Sequence, residues 1–384
     1  MKTRLTLPLT AAAALLLAAF STGSPIFLFG GTMLILITAS SFAAVWWASR
    51  TLTVSSGLSG RTVRRGESVT LEVTVRHGGF LPIAPILLEL HATPDSPETQ
   101  VRLKDAPGRT QRLTLPFHAS HVGVSRAGVK KCTVEDVFGL FARTVEPKTG
   151  LDELLVLPMP FEVEALHFAP GDPGSEVMAR ATEDVSNPAD FRAYQPGDAI
   201  KKIHWKLSAR KGDLMVRRFE EPVLMDALVL MDCSAPPSWG HPEAEADIRD
   251  TLLETAASVM VGQMASDHAI RLPLLGEHPI ELDQRMGTPM ILENRARVDF
   301  SETDKFERVL LLETRRMRRV GSTVIISARL SSRIVDVMIR MKRMGPDVRL
   351  YLVTFTPDDP LVLGMVSKLQ QAEIEVCYVT PVPT

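Results

Sequence analysis

The sequence of 384 residues contains only three cysteines, Cys132, Cys233 and Cys377, and no Cys-x-x-Cys pair. This scarcity excludes a disulfide framework and a thiolate zinc site, and it fits a reducing compartment. An excess of positive charge is also absent, because the formal net charge is −2. No bulk field therefore attracts nucleic acid, and we expect no nucleic-acid partner. The hydrophobic share of 45% is enough to fill ordinary cores, and the length predicts roughly two globular domains plus a further segment.

Charge is missing altogether from residues 5–49, which is about twice the length that one helix needs to cross a bilayer. The stretch divides at residues 21–25, where Ser-Thr-Gly-Ser-Pro is typical of a turn. We therefore predict a two-helix transmembrane hairpin within residues 1–50, with spans at 5–20 and 26–48. Trp46 and Trp47 close the second span, where interfacial aromatic residues are expected.

Basic residues flank this apolar stretch on both sides. Lys2 and Arg4 precede it and Arg50 follows it, whereas the turn between the spans carries no charge. The positive-inside rule then places both ends in the cytoplasm, which predicts a two-span inner-membrane protein with a large cytoplasmic C-terminal part. The alternative is a cleaved signal peptide at residues 2–22 followed by a single anchor.

Residues 51–156 show the period-2 pattern of half-buried β-strands. Val69, Leu71, Val73 and Val75 alternate with polar residues, and similar short patterns recur along this region. About six such strands predict a small β-sandwich-like domain. Residues 157–222 follow as an irregular linker, rich in proline and glycine, that includes a distinctive segment.

The distinctive segment consists of residues 190–198, 203–210 and 214–220. It resembles the hallmark of the bacterial "domain of unknown function 58" family, which has Arg-x-Tyr-x-x-Gly-Asp, then Ile-x-Trp-x-x-Ser-Ala-Arg, then a strand ending in Glu. The matching positions that we take as signature residues are Arg192, Tyr194, Gly197, Asp198, Trp205, Ser208, Arg210 and Glu220. The resemblance implies a membrane hairpin, a β-rich domain and a C-terminal von Willebrand A-like domain. It also implies a MoxR-type AAA+ ATPase as partner, and no established activity.

The signature segment does not have the pattern of an active site. On an extended strand His204, Lys206 and Ser208 merely share one face, and no glycine elbow precedes Ser208. We therefore predict no catalytic residue and no enzymatic activity.

The signature charges have two interpretations. Residues 190–218 are basic, which suits an anionic partner or lipid headgroups. The same arginines suit pairing with Asp198 and Glu220 to fix the turns. We expect that Trp205, Arg210 and the other signature side chains mainly hold the segment against the C-terminal domain, and secondarily present a docking surface.

Residues 223–384 alternate strands and helices, which predicts a doubly wound α/β domain of the von Willebrand A-like type that the resemblance implies. The run Asp232-Cys233-Ser234-Ala235-Pro236 follows its first strand and is similar to the Asp-x-Ser-x-Ser element of a Mg²⁺ site. Asp232 and Ser234 match this element, whereas Pro236 has no hydroxyl.

A second Asp is expected after the strand at residues 323–327, but Arg329 and two apolar residues stand there. Mg²⁺ requires near-octahedral oxygen ligation. We therefore expect a degenerate site without bound metal, and no other cofactor.

Together these features predict a membrane-anchored, non-enzymatic interaction or scaffold protein. We expect it to work with a MoxR-type AAA+ ATPase in protein assembly or envelope-related processes. The alternative function is a Mg²⁺-dependent ligand-binding (adhesion) module that acts through Asp232 and Ser234.

Overall fold

The computed structural model describes residues 2–3, 5–78, 86–91, 99–103, 110–164, 166, 190–194, 203–218, 226–237, 242–266, 269–273, 287–300, 305–317 and 320–382. The chain forms two compact units, Met1–Met159 and Pro160–Pro383.

Unit 1 begins with strand β1 (Lys2–Thr3) and two apolar helices, α1 (Thr6–Thr22) and α2 (Pro25–Thr51). Gly23 has a φ of 64° and ends α1, and Pro25 occupies the first turn of α2, where its missing N–H leaves no bond unmade. The predicted pair of apolar helices is confirmed. α2 is long and apolar enough to cross a bilayer, whereas α1 is shorter, at 17 residues.

Nine further strands of unit 1 form two sheets. They are β2 (Leu52–Leu58), β3 (Thr62–Arg64), β4 (Ser68–His77), β5 (Ile86–His91), β6 (Thr99–Leu103), β7 (Thr110–His118), β8 (Gly123–Glu135), β9 (Phe141–Val145) and β10 (Asp152–Leu157). One sheet has the order β2-β4-β7, and the other runs β1-β9-β8-β10-β3 with β5 and β6 attached to β8.

The two sheets of unit 1 share one core. Alternate residues of β4 such as Leu71 and Val73 pack in it together with Leu88 of β5 and Cys132 of β8. The structure therefore has the face-to-face arrangement that the alternating pattern predicted, with more strands than the expected six. Its β3–β10 pair is parallel.

The end of α2 is part of this core rather than a tether to it. Ser41, Val45 and Ala48 are buried along one side of the helix, and Ala48 belongs to the shared core. α2 ends at Thr51 and β2 begins at the next residue. The apolar helix and the β-sheets are thus joined without a linker.

Unit 2 contains the signature segment as strand β11 (Asp190–Ala193), helix α3 (Trp205–Lys211) and strand β12 (Met215–Arg218). β11 and β12 pair antiparallel. The prediction of an extended strand through Trp205 and Ser208 is wrong. The His204 side chain caps the helix by accepting a hydrogen bond from the Leu207 N–H at 3.0 Å, and Gly212, with a φ of 78°, ends it.

The remainder of unit 2 is a five-stranded parallel sheet with helices. The strands are β13 (Asp226–Met231), β14 (Ile270–Arg271), β15 (Val320–Ser327), β16 (Asp347–Val353) and β17 (Glu375–Val379). The helices are α4 (Pro242–Ala265), α5 (Thr288–Ala296), α6 (Phe306–Thr314), α7 (Ser332–Arg343) and α8 (Pro360–Gln371). The strand order is β14-β13-β15-β16-β17.

Helices cover both faces of this sheet. Leu228, Leu230 and Ile325 pack in one core with residues of α6, α7 and α8. α4 contacts β13, β15 and β16, and it lies on the other face because alternate strand residues point to opposite sides. The predicted alternation of strands and helices is confirmed.

The strand order locates the point at which a ligand is expected. The chain moves outward from β13 to β14 in one direction and then to β15 on the other side. In open parallel sheets, ligands bind outside the carboxyl ends of the strands where the winding direction changes. Here that point lies between the ends of β13 and β15.

Candidate functional site

Asp232 lies at this point, directly after β13. Its backbone N–H donates to the Ile326 carbonyl at 2.8 Å, so the ends of β13 and β15 are held side by side. Its side chain is buried. A buried carboxylate must find donors or a countercharge, and the neighbouring residues supply both.

Three groups hydrogen-bond to the Asp232 carboxylate. Its Oδ1 accepts from the Ser234 N–H at 3.1 Å and from the Ser234 hydroxyl. Its Oδ2 lies 2.9 Å from the Ser327 hydroxyl, which also lies 2.8 Å from the Arg329 carbonyl and donates to one of the two at a time. The Ser327 oxygen in turn accepts from the Arg329 N–H at 3.1 Å. Sequence reasoning did not single out Ser327 as part of this site.

Arg329 supplies the countercharge. Its Nε lies 3.7 Å from Asp232 Oδ2, and its Nη2 donates to the Ala235 carbonyl. The side chain of Arg329 is 42% exposed, whereas that of Asp232 is 4% exposed. The structure therefore places a fixed guanidinium at the carboxyl edge of the sheet, with part of its surface open to solvent.

This donor set does not fit the Mg²⁺ site to which the sequence is similar. A magnesium ion requires about six oxygen ligands in a near-octahedral arrangement. Around Asp232 the carboxylate oxygens face hydroxyl and amide donors and a guanidinium, and Pro236 adds no oxygen from its side chain. A side-chain cation is next to the carboxylate that would bind the metal.

A cavity of about 630 Å³ opens beside this group. The starts of α6 and α7 form part of its wall. Lys305, the N-cap of α6, and Glu307 come from the first helix, and Arg333 comes from the second. Its other lining residues are Asp232, Ser234, Ala235, Pro236, Pro237, Phe306, Arg329 and Ile334. The lining thus includes three cationic residues, Lys305, Arg329 and Arg333. It also includes two carboxylates, those of Asp232 and Glu307.

The two carboxylates of the cavity already have partners. Asp232 is held as described, and Glu307 accepts from the Ser331 hydroxyl at 3.0 Å and lies 3.8 Å from Arg333. The starts of two helices add positive partial charge at this wall. The cavity is therefore suited to an anionic group.

The signature side chains that the structure describes are not part of this cavity lining. Ser208 is buried, its hydroxyl lies 3.0 Å from the His204 carbonyl, and its oxygen accepts from the Met215 N–H at 2.8 Å. His204 and Ser208 are therefore used to fix α3 against β12, and they do not form a nucleophile–base pair.

The other signature positions are only partly described. Tyr194 is half-buried, and its N–H donates to the Leu214 carbonyl at 2.7 Å. Arg192 lies on β11 opposite Val216. Gly197, Asp198 and Glu220 lie outside the described residues.

Trp205 and Arg210 lie on the outward side of α3. Trp205 is 62% exposed and Arg210 is exposed, because α3 buries its Ser208 side. That these two residues hold the segment against the C-terminal domain stays a prediction.

Comparison with known proteins finds a family match in unit 2. Residues 190–350 match the model described as "Protein of unknown function DUF58". The uncharacterized protein YeaD of Bacillus subtilis is 26% identical over 195 residues, which cover 48% of each chain. The match thus spans about half the length of this curated relative.

Two solved structures resemble part of this chain with low TM-scores. A CARDB domain from Pyrococcus furiosus has a TM-score of 0.20 and 16% identity, covering 27% of this chain and 91% of that one. A cohesin module of a Clostridium perfringens glycoside hydrolase has a TM-score of 0.20 and 10% identity, covering 28% and 98%. These scores do not establish a shared fold. The family match is consistent with the signature: residues 190–350 of this chain are similar to the DUF58 family, whose function is unknown.

Proposed function

We propose that this protein is a membrane-anchored, non-enzymatic interaction protein whose α/β unit binds a carboxylate-bearing segment of a protein partner. The observation that carries the proposal is the position of the Arg329 guanidinium. Asp232 holds it between the ends of β13 and β15, where the winding direction of the sheet changes, and it is open to a cavity. In this proposal Arg329 recognises the partner directly, in the place where a von Willebrand A-type domain would use a metal ion.

The chemistry of the cavity favours a carboxylate ligand. A guanidinium presents several N–H donors in a fixed plane and binds carboxylates through paired hydrogen bonds. Arg329 is held in position by the Ala235 carbonyl and the Asp232 carboxylate, so little side-chain freedom is lost on binding. Lys305 and Arg333 add positive charge that favours an acidic partner segment.

The same site gives little support for catalysis. Among the described residues that line the cavity, none is a histidine or a cysteine. The Ser234 hydroxyl donates to the Asp232 carboxylate, and the buried Ser327 hydroxyl is engaged by the same carboxylate and the Arg329 carbonyl. A nucleophile with a poised base and a set of oxyanion donors is what an active site would need.

The partner that we propose is a MoxR-type AAA+ ATPase, which the family resemblance suggests. We further propose that α1 and α2 form a two-span anchor in the inner membrane, with the β-sheets of unit 1 and the whole of unit 2 in the cytoplasm. The apolar length of α2 and the basic residues that flank the helices support this arrangement.

The test is binding of a purified MoxR-type ATPase from the same organism to the full chain in lipid nanodiscs. Arg329→Gln is expected to weaken binding at least about tenfold, because truncating one partner of a hydrogen-bonded charge pair costs about 2–5 kcal/mol. Arg340→Gln removes an exposed arginine farther along α7 and is the matched control, expected to bind like the parent. Equal binding by both variants and the parent would contradict the proposed site.

A further inference from the structure

The turn between β8 and β9 exposes two large apolar side chains. Val137 is 79% exposed and Phe138 is 63% exposed. We name these two residues the tip. The two side chains are neighbours and form a small continuous apolar surface at the end of a hairpin, and their position indicates what they contact.

The turn that carries the tip is held in one conformation. The Asp136 side chain is buried and accepts from the Phe138 N–H at 3.1 Å and from the Phe141 N–H at 2.7 Å. The Gly139 N–H donates to the Asp136 carbonyl at 3.0 Å, and Gly139 has a φ of 68°, which favours glycine. The apolar tip is therefore presented without an entropic cost of ordering the loop.

Strand pairing fixes the direction in which the tip points. β1 pairs antiparallel with β9, with Lys2 opposite Ala142 and Thr3 opposite Phe141. β1 leads into α1, so β9 runs away from the start of α1. The residues before Phe141 must then lie on the side where α1 begins. The tip extends about 7 Å beyond the Thr3–Phe141 pair, at about 3.3 Å per residue.

The apolar helices reach the same level as the tip. Gly31 approaches Leu16 so closely that an added Cβ would lie 2.9 Å from the leucine side chain, which sets the antiparallel register of α1 and α2. In this register Leu5 lies level with Phe42. The Phe42 and Phe141 rings contact each other edge to face, with centroids 5.5 Å apart. The start of β9 therefore lies beside α2 at the level where α1 starts.

This level has the features of a membrane boundary. Trp46 and Trp47 are partly exposed one turn farther along α2, and the guanidinium of Arg50 lies 4.0 Å from the centre of the Trp46 ring. Aromatic and basic residues of this kind concentrate at the headgroup level. We propose that Val137 and Phe138 insert into the lipid bilayer at the boundary between headgroups and acyl chains, as a third membrane contact beside α1 and α2. The inference rests on the membrane anchorage proposed above.

The test measures the depth of the tip in the full chain, reconstituted into vesicles of phosphatidylethanolamine and phosphatidylglycerol. An environment-sensitive nitrobenzoxadiazole label is attached to Phe138→Cys in a chain that also carries Cys377→Ser, because Cys377 is half-buried whereas Cys132 and Cys233 are buried. The same chain without Phe138→Cys measures the background labelling. Val124→Cys is the matched control, because this exposed residue lies at the opposite end of β8. Phe29→Cys reports on α2 itself.

Lipids carrying a spin label near the headgroup are expected to quench most of the fluorescence at position 138 and little of it at position 124. The double variant Val137→Ser with Phe138→Ser keeps Asp136 and Gly139, so it is expected to unfold at the same temperature as the parent. When it is bound to vesicles, the backbone amides of its turn are expected to exchange hydrogen faster than those of the parent. Quenching at position 29 but not at 138 would overturn the tip contact and leave the anchor intact. Absence of quenching at position 29 would overturn the anchor, and with it this inference.

Discussion

The buried carboxylate at the winding-change point gives the sharpest prediction about stability. Asp232→Ala removes the acceptor that Ser234 and Ser327 share and the countercharge of Arg329. A hydrogen bond to a charged group contributes about 1.5–3 kcal/mol, and a partly exposed ion pair adds about 0–1 kcal/mol. Ser327 keeps the Arg329 carbonyl as an acceptor, which limits the loss. We expect a total cost of about 2–4 kcal/mol.

Arg329→Gln is expected to behave differently. The remaining Asp232 carboxylate keeps its donors from Ser234 and Ser327, and the lost partner is 42% exposed. The free energy of unfolding should therefore change by only about 0–1 kcal/mol. Arg329 is thus expected to matter more for binding than for folding.

The assay is thermal unfolding of the full chain in detergent micelles, followed by near-ultraviolet circular dichroism. Asp232→Ala should lower the midpoint by roughly 5–15 °C, because a domain of about 150–250 residues loses about 2–4 °C per kcal/mol. Asp336→Ala, which removes an exposed carboxylate on α7, is the control and should melt like the parent. If the unfolding midpoint of Arg329→Gln were as low as that of Asp232→Ala, Arg329 would be a structural countercharge. That result would contradict the expectation that Arg329 matters more for binding than for folding.

Three further predictions concern other parts of the chain. Burial raises the pKa of the Cys132 thiol to about 12, so iodoacetamide at pH 8.5 should leave Cys132 unmodified in the native protein and alkylate it in denaturant, as peptide mass spectrometry can show. Gly31→Leu should push α1 away from α2 and lower the midpoint of unfolding, and Leu16→Ala in the same chain should restore part of the loss. Arg349 is buried against Glu375 at 2.6 Å, so Glu375→Ala, which leaves that charge without its carboxylate, should lower the unfolding midpoint more than Arg349→Met does.

Local patterns in the sequence were sufficient for much of the fold. The uncharged stretch predicted α1 and α2 because apolar length and flanking charge are themselves the physical determinants of such helices. Alternation in β4 and the run of apolar residues in β13 predicted their strands for the same reason. Ser331 is a residue type that favours the N-cap position, and its side chain accepts from the Ile334 N–H at the start of α7.

The signature helix was missed because its start depends on a contact made by a side chain. Histidine is an uncommon N-cap, so α3 begins without a conventional start signal. The alternation of apolar and polar residues around Trp205 then suggested a strand. A stronger weight on the helix-forming residues Lys206, Leu207 and Ala209, with Gly212 after them, would have favoured the observed helix.

The candidate site could be predicted only in part. Asp232 and Ser234 were found because they are close in sequence and follow a strand. Arg329 was noted only as the residue standing where a second aspartate was expected, and its approach to Asp232 depends on the pairing of β13 with β15. Contacts between residues 95 or more positions apart follow from topology, which a single sequence does not specify.

We propose that the cavity beside Arg329 binds a MoxR-type ATPase. Site-specific photo-cross-linking in cells can detect this contact in place. A photoreactive amino acid would replace Pro237, which lines the cavity, and in a parallel strain Arg340, which lies farther along α7. We expect a cross-link from position 237 to the ATPase, which mass spectrometry can identify. This cross-link should be lost when Arg329→Gln is added. A cross-link to the ATPase from position 340 but not from position 237, or unchanged cross-linking with Arg329→Gln, would contradict the proposal.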